Sequence, residues 1–352
     1  MSTKKITIIG LMSGTSLDGL DIVYVSFDKK KYKNFQIHHS ETIPYSKTWK
    51  KKLANAIFKS NDEIQKLDIA YGELLAEKVN AFRKENNIVD VDFIASHGHT
   101  ILHQPEKGIT LQIGNGQVLA SQTQKKVVCD FRTQDVKLGG QGAPLVPIGD
   151  ALLFDQYDAC LNLGGFANVS FEENNKRIAF DICPVNIVLN YYVNSLGLEF
   201  DNEGLIAASG TIHNELLQEL NSLQFYKMNP PKSLGLEWVQ STIFPLIDQK
   251  NMDIKDVLRT FVEHIAIQIG NSTKKCKDLF ITGGGVFNSF LTQRIQQYSN
   301  SEISIPENQI VHFKEALIFS FLGLLRIDNQ VNCLSSVTGA TMDHSSGAIF
   351  LP

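Results

Sequence analysis

Asp181 has the surroundings of an acid–base residue. It follows Arg177, Ile178, Ala179 and Phe180, a short strand-like run. A carboxylate at the end of such a run projects where it can take a proton from water or a hydroxyl. Phosphoryl transfer asks an enzyme mainly to position groups and spread charge, so one base, Mg²⁺ and backbone donors can suffice. The same position also suits an aspartate that caps a helix near residues 186–196. Cys183 lies two residues on, but no positioned histidine accompanies it, so a thiol nucleophile is not expected.

Three glycine-containing segments could hold an anion. Gly14, Thr15, Ser16, Leu17, Asp18, Gly19, Leu20 and Asp21 combine two glycines with hydroxyl donors, the composition of a phosphate nest. They fit an ordinary Asp-Gly hairpin turn equally well. No Gly-Lys-Ser/Thr follows, so this is not a Walker A loop. Gly164 and Gly165, within the run from Asn162 to Asn168, repeat that chemistry, and a plain turn is the alternative. Gly283, Gly284 and Gly285 end a strand and open a helix near Asn288, where backbone can approach a nucleotide.

A second polar group gathers around His97, His99, Thr100 and His103. The spacing matches no zinc signature, so hydrogen bonding to a polar ligand is the expected use. Asp130, Arg132, Asp135 and the glycine-rich stretch 139–144 form a loop rich in donors. Arg132 can grip a carboxylate with two N–H groups or pair with Asp130 or Asp135.

The elements that must position these residues read as alternating strands and helices, an α/β fold. Strands are expected at 6–10 and 21–27 around a turn, at 92–96 ending at the histidines, and at 127–130. Further strands are expected at 159–163, 167–171, 278–282 and 310–313. An amphipathic helix spans 62–86, and others cover 288–298 and 315–326. The strand–turn–strand order at 159–171 echoes residues 6–27. The chain has 352 residues, more than one core usually serves. The division expected is 1–128 plus 335–352 and, separately, 129–334.

Hydrophobic residues make up 43%, and the net charge of −4 with no long basic run argues against nucleic acid as a partner. The N-terminus lacks a signal-peptide h-region, and the apolar stretch 316–325 is too short to span a bilayer, so no membrane role is expected. Five cysteines without a C-x-x-C pair fit reduced thiols in a cytoplasm.

Taken together, residues 10–21 resemble the opening signature of the 1,6-anhydro-N-acetylmuramic acid kinases. The likeness continues in order through 96–100, 110–114, 130–132, 139–147, 161–168, 208–210, 230–233, 283–285 with Asn288, 315–317 and 336–340. This resemblance implies two actin/hexokinase-like (ribonuclease H-like) lobes around a central ATP cleft, and ATP with Mg²⁺ as cofactors. It implies a kinase of peptidoglycan recycling in which water, activated by an aspartate, opens the anhydro bridge while the freed O6 takes the γ-phosphate. Asp181 becomes that base. Residues Gly14 to Asp21, with Gly164, Gly165, Asn168, Gly283, Gly284, Gly285 and Asn288, become the ATP site. His97, Thr100, Arg132, Asp135, Ala143 and Pro144 become the sugar site. The metal ligands stay unassigned, and a homodimer is implied.

Two departures stand out. The family's Thr-Gly-Pro-Gly-Asn run is here Ile182, Cys183, Pro184, Val185 and Asn186, and its Gly-Gln-Thr is Gly98, His99 and Thr100. A kinase for another amino sugar and a non-catalytic sugar or nucleotide sensor are the alternative readings.

Overall fold

The structure is a computed structural model that describes residues 5–14 and 16–352. Thr15, assigned above to the phosphate turn, and the N-terminal start at Met1 lie outside the described residues. The chain divides into two compact units, Met1–Phe154 with Phe313–Pro352, and Asp155–His312.

In the first unit, β1 (Lys5–Ser13) and β2 (Gly19–Asp28) form the expected hairpin, with Ile6 opposite Phe27 and Met12 opposite Asp21. Ile8, Ile9, Ile22, Val23, Val25 and Phe27 are fully buried, as strands covered on both faces must be. β3 (Lys31–Pro44) extends the hairpin. β4 (Phe93–Gln104) runs parallel to β1, β5 (Ile109–Ile113) folds back on β4, and β6 (Val127–Cys129) runs parallel to β4. The C-terminal strand Ala348–Phe350 returns to pair with β6, which completes a seven-stranded sheet among the described residues.

The helix Asn61–Glu85 covers one face. Ser60 and Glu63 form a capping box at its start, and Leu67, Tyr71, Leu75, Val79 and Phe82 meet Ile9 and Leu11 in the core. The helix Asn308–Ile327 covers the other face. A side chain at Gly10 would collide with Ser320 and the Ala316 carbonyl, and one at Gly323 would meet Ala95 at 2.7 Å. No helix among the described residues is long and apolar enough to cross a membrane.

The second unit repeats the plan. β7 (Ala159–Leu163), β8 (Phe166–Glu173) and β9 (Lys176–Pro184) form an antiparallel meander, with β10 (Asp278–Thr282) parallel to β7 and β11 (Glu302–Ser304) parallel to β10. The order β9-β8-β7-β10-β11 matches β3-β2-β1-β4-β6 strand for strand. The echo between residues 6–27 and 159–171 is therefore a shared topology. Its core is separate, with Leu161, Val169 and Ile182 packing against Leu258, Phe261, Val262 and Ile265 of the helix Ile254–Ser272.

Three expectations are corrected. Residues 310–313 are not a strand but the opening of the helix Asn308–Ile327; a short apolar run looks alike in both. β4 does not stop at Ser96 but continues to Gln104, so His97 and His99 lie inside the sheet. The unit boundaries fall at 154/155 and 312/313 rather than 128/129 and 334/335. Residues 129–154 stay with the first unit through the β6 ladder, the Arg132–His97 bond and Gly149 against Ile318. The helix from Phe313 onward stays there through Phe319 and Phe321, which pack on Phe131 and Phe27.

Candidate active site

Asp181 sits within β9 rather than at its end, directly opposite Asn168 of β8. Asn168 in turn faces Asn162 of β7, and Asn162 faces Thr282 of β10. Directly paired residues send their side chains to the same face. The four strands thus present a row of polar side chains across the sheet. The Asp181 backbone N–H donates to the Lys232 carbonyl at 3.1 Å, and the Leu234 N–H donates to its Oδ2 at 2.8 Å. The carboxylate is half-buried, and among the described residues its Oδ1 accepts no hydrogen bond. Burial pushes its pKa up, and the Leu234 N–H partly offsets that. The helix-cap alternative fails, because the helix Asn186–Asn194 begins after Val185. Burial drives the Cys183 thiol far above its ordinary pKa, which leaves it inert.

The glycine turns of this unit do different jobs. The carbonyls of Gly164 and Gly165 accept from the N–H groups of Asn186, Val185 and Ile187 and tie the β7–β8 turn to the next helix. Gly283 has φ +87°, and a side chain there would lie 2.6 Å from Asn162 Oδ1, so only glycine serves. Around Gly284 the space is open, and the Thr282 hydroxyl just before it is buried without a partner. Asn288 caps the helix Ser289–Tyr298 by accepting from the Leu291 N–H at 2.9 Å.

In the first unit the β1–β2 turn is anchored from below. Ser13 Oγ lies 2.9 Å from His99 Nδ1 and accepts from Tyr45 at 2.8 Å. Among the described residues of the turn, the positive φ falls on Leu17, at 61°, and neither Gly14 nor Gly19 uses that freedom. Gly19 is needed for close approach, since a side chain would lie 2.5 Å from the Ile43 carbonyl. Ser16 and Asp18 are exposed, whereas Leu20 is buried in the core and supports the turn from beneath. Asp21 accepts from the Thr42 hydroxyl at 2.6 Å.

Arg132 is held by two neighbours. Its Nε and one terminal nitrogen lie 3.1 and 2.9 Å from His97 Nε2, and its other terminal nitrogen donates to the Gly142 carbonyl at 2.6 Å. His97 Nδ1 faces the Gly98 carbonyl at 2.9 Å, so Nδ1 carries the proton and Nε2 accepts from the guanidinium. Burial, followed by Arg132, holds the His97 pKa well below its usual value, which keeps the ring neutral. Asp135 is fully buried, accepting from the Gly142 N–H and the Thr338 hydroxyl at 2.7 Å each. His97 and Asp135 are thus both engaged within the protein. They fix Arg132 and the 139–144 loop. Thr100 accepts from Gln112 at 3.4 Å, Ala143 is half-buried and Pro144 is exposed.

The chain from residue 6 to 352 matches a family model described as anhydro-N-acetylmuramic acid kinase. The chain belongs to the anhydro-N-acetylmuramic acid kinase family. It is thereby an enzyme, a phosphotransferase. The member from Pseudomonas syringae pv. syringae is 34% identical over 97% of this chain and 98% of its own length. The member from Shewanella denitrificans is 34% identical over 95% of each. Among solved structures, component A of the (R)-2-hydroxyglutaryl-CoA dehydratase of Acidaminococcus fermentans aligns over 90% of this chain and 96% of that one. That match has 14% identity and a TM-score of 0.47.

The departures from the anhydro-N-acetylmuramic acid kinase pattern are absorbed by the fold. Cys183 and Val185, standing where the family has glycine, are fully buried in the core beneath Asp181, and neither takes a positive φ. His99 lies under the β1–β2 turn, its pKa pushed down to about 4 by burial, and serves as a neutral link to Ser13. Asn162 and Glu315 fall in segments named above but were given no site role there. Strand register lines Asn162 up with Thr282 and Asn168. Glu315 is solvent-accessible yet hemmed in by protein, so burial raises its pKa while Arg132 lowers it. One charge just ahead of the apolar stretch 316–325 was the available signal.

Proposed function

We propose that this chain hydrolytically opens 1,6-anhydro-N-acetylmuramic acid and phosphorylates it with ATP, giving N-acetylmuramic acid 6-phosphate and ADP. The observation that carries this reading is Asp181. It is a half-buried carboxylate with one oxygen pinned by the Leu234 N–H and the other open, in a chain that matches the family from end to end. Asp181 takes a proton from water as the water oxygen bonds to the anomeric carbon. The bond from that carbon to O6 breaks, and O6 forms its new bond to the γ-phosphorus as ADP leaves. Burial raises the carboxylate's proton affinity and so makes it a stronger base.

The ATP phosphates are assigned to residues 14–21 and to the glycine turns at 164–165 and 283–285. The orphaned Thr282 hydroxyl and the open space at Gly284 suit a phosphate oxygen. Mg²⁺ would supply charge neutralisation of the phosphates, held largely through their oxygens and water, as this ion prefers. Arg132 is assigned to the sugar, a cation ready for its carboxylate-bearing lactyl arm. Thr100, Ala143 and Pro144 are placed beside it. The setting is the cytoplasm, in recycling of peptidoglycan, and the assembly a homodimer that sedimentation can test.

The test is ATP consumption on the anhydro sugar in ¹⁸O-labelled water, with N-acetylmuramic acid and N-acetylglucosamine as comparators. The expected product carries one solvent oxygen at the anomeric carbon. Turnover only on an ordinary hydroxyl would assign a different amino sugar, and tight binding without turnover would assign a sensor.

A further inference from the structure

Asp135, Cys333 and His344 converge inside the first unit. Among the described residues they are the one group of possible metal ligands whose donor atoms all lie within 4.8 Å of one another. The backbone explains why. Cys333 and His344 face each other across an isolated antiparallel bridge, with Cys333 N–H to His344 O at 3.1 Å and His344 N–H to Cys333 O at 3.2 Å. Residues directly opposed in this way send their side chains to one side. Asp135 arrives from the helix Thr133–Lys137, drawn in by the hydroxyl of Thr338, which lies in the segment joining the two bridge positions. All three are buried, at 0, 2 and 6% exposure.

The imidazole is prepared for ligation. Nδ1 of His344 lies 3.2 Å from the Met342 carbonyl and donates to it, which leaves a lone pair on Nε2. That Nε2 is buried without a hydrogen-bond partner; Asp135 Oδ1 stands 3.6 Å away, beyond hydrogen-bonding range. A far nitrogen held by a carbonyl and a near nitrogen left bare is how metal-binding histidines are oriented.

We propose that Asp135, Cys333 and His344 form a binding site for one divalent transition metal, zinc by its donor set, with a fourth position left for water. Sulfur, imidazole nitrogen and one carboxylate oxygen suit Zn²⁺, whereas Mg²⁺ and Ca²⁺ call for oxygens alone. On binding, the Cys333 thiol loses its proton to solvent as the sulfur–metal bond forms, and thiolate and carboxylate together balance the ion's charge. The metal would staple the helix that follows Arg132 to the C-terminal segment 333–344.

The ligands are buried, so loading is best done while the chain folds. The full chain is expressed in zinc- and in cobalt-supplemented medium, dialysed against metal-free buffer and analysed for metal content. The expected result is one equivalent of metal per chain. The cobalt form should show a near-ultraviolet sulfur-to-cobalt charge-transfer band with the strong visible bands of a tetrahedral site. Cys333→Ser should lose the charge-transfer band, and His344→Ala should hold at least tenfold less metal. A cobalt-grown parent protein without the band overturns the proposal, even if neither variant folds. So does unchanged metal content in both variants. These readouts need no turnover and stand apart from the kinase reaction.

Discussion

A general base is most useful when its surroundings raise its proton affinity without keeping it protonated at working pH. At Asp181 burial raises the proton affinity, and the Leu234 N–H limits the rise. Asp181→Asn is expected to lose several orders of magnitude in turnover while ATP binding persists, as read by steady-state rates and calorimetry. In the parent enzyme, the acid limb of kcat/KM should lie above the ordinary aspartate range, because activity falls as this carboxylate gains its proton. Stability carries the opposite sign. A folded pKa raised above the unfolded one contributes stability at pH values below the unfolded pKa, and this contribution is lost as pH rises through the folded value. Near neutral pH the ionised group costs stability, so Asp181→Asn should melt no lower than the parent there, and any advantage should vanish in acid. At Arg132 the geometry assigns support to His97. His97→Ala is expected to raise the sugar KM about tenfold while moving kcat less, the scale of one lost hydrogen bond to a charged group. Steady-state kinetics at saturating ATP would show it.

Two elements depend on glycine for unlike reasons. Gly283→Ala forces a side chain into a φ of +87° and against Asn162, so a loss of about 1–3 kcal/mol and weaker ATP binding are expected in thermal melts and titrations. Gly10→Ala keeps an ordinary strand conformation but drives a methyl into Ser320. It should lower stability by a similar amount, through overpacking against the helix Asn308–Ile327. Much of this frame was legible in sequence. The β1–β2 hairpin, the helix from Asn61 and the strand–glycine–helix passage at 278–298 each carry their own local signals. The 310–313 run misled because four apolar-leaning residues do not reveal their period. Strand register was hidden altogether. It alone lines up Thr282, Asn162, Asn168 and Asp181, and it turns Asp181 from a residue after a strand into one within it. Burial was hidden too, and with it the hydrogen bonds by which His97 and Asp135 hold Arg132 and its loop.

At the scale of the whole molecule, the two units are unequal in how the chain builds them. Asp155–His312 is one continuous segment with its own core, running from Ala159 to Val311. Expressed alone it should unfold cooperatively in denaturant, whereas 1–154 alone should not. The latter lacks the helix whose Leu317, Ile318, Phe319 and Phe321 are buried against it. The bond between Asp135 and Thr338 closes a gap of 203 residues in the sequence. A ribosome therefore releases the Asp181 half ready to fold while the Arg132 half still waits for its last strand. A premature stop near the end of the message would leave the fold around Asp181 intact and yet cost Arg132 its surroundings, and on the proposed assignment sugar binding with them.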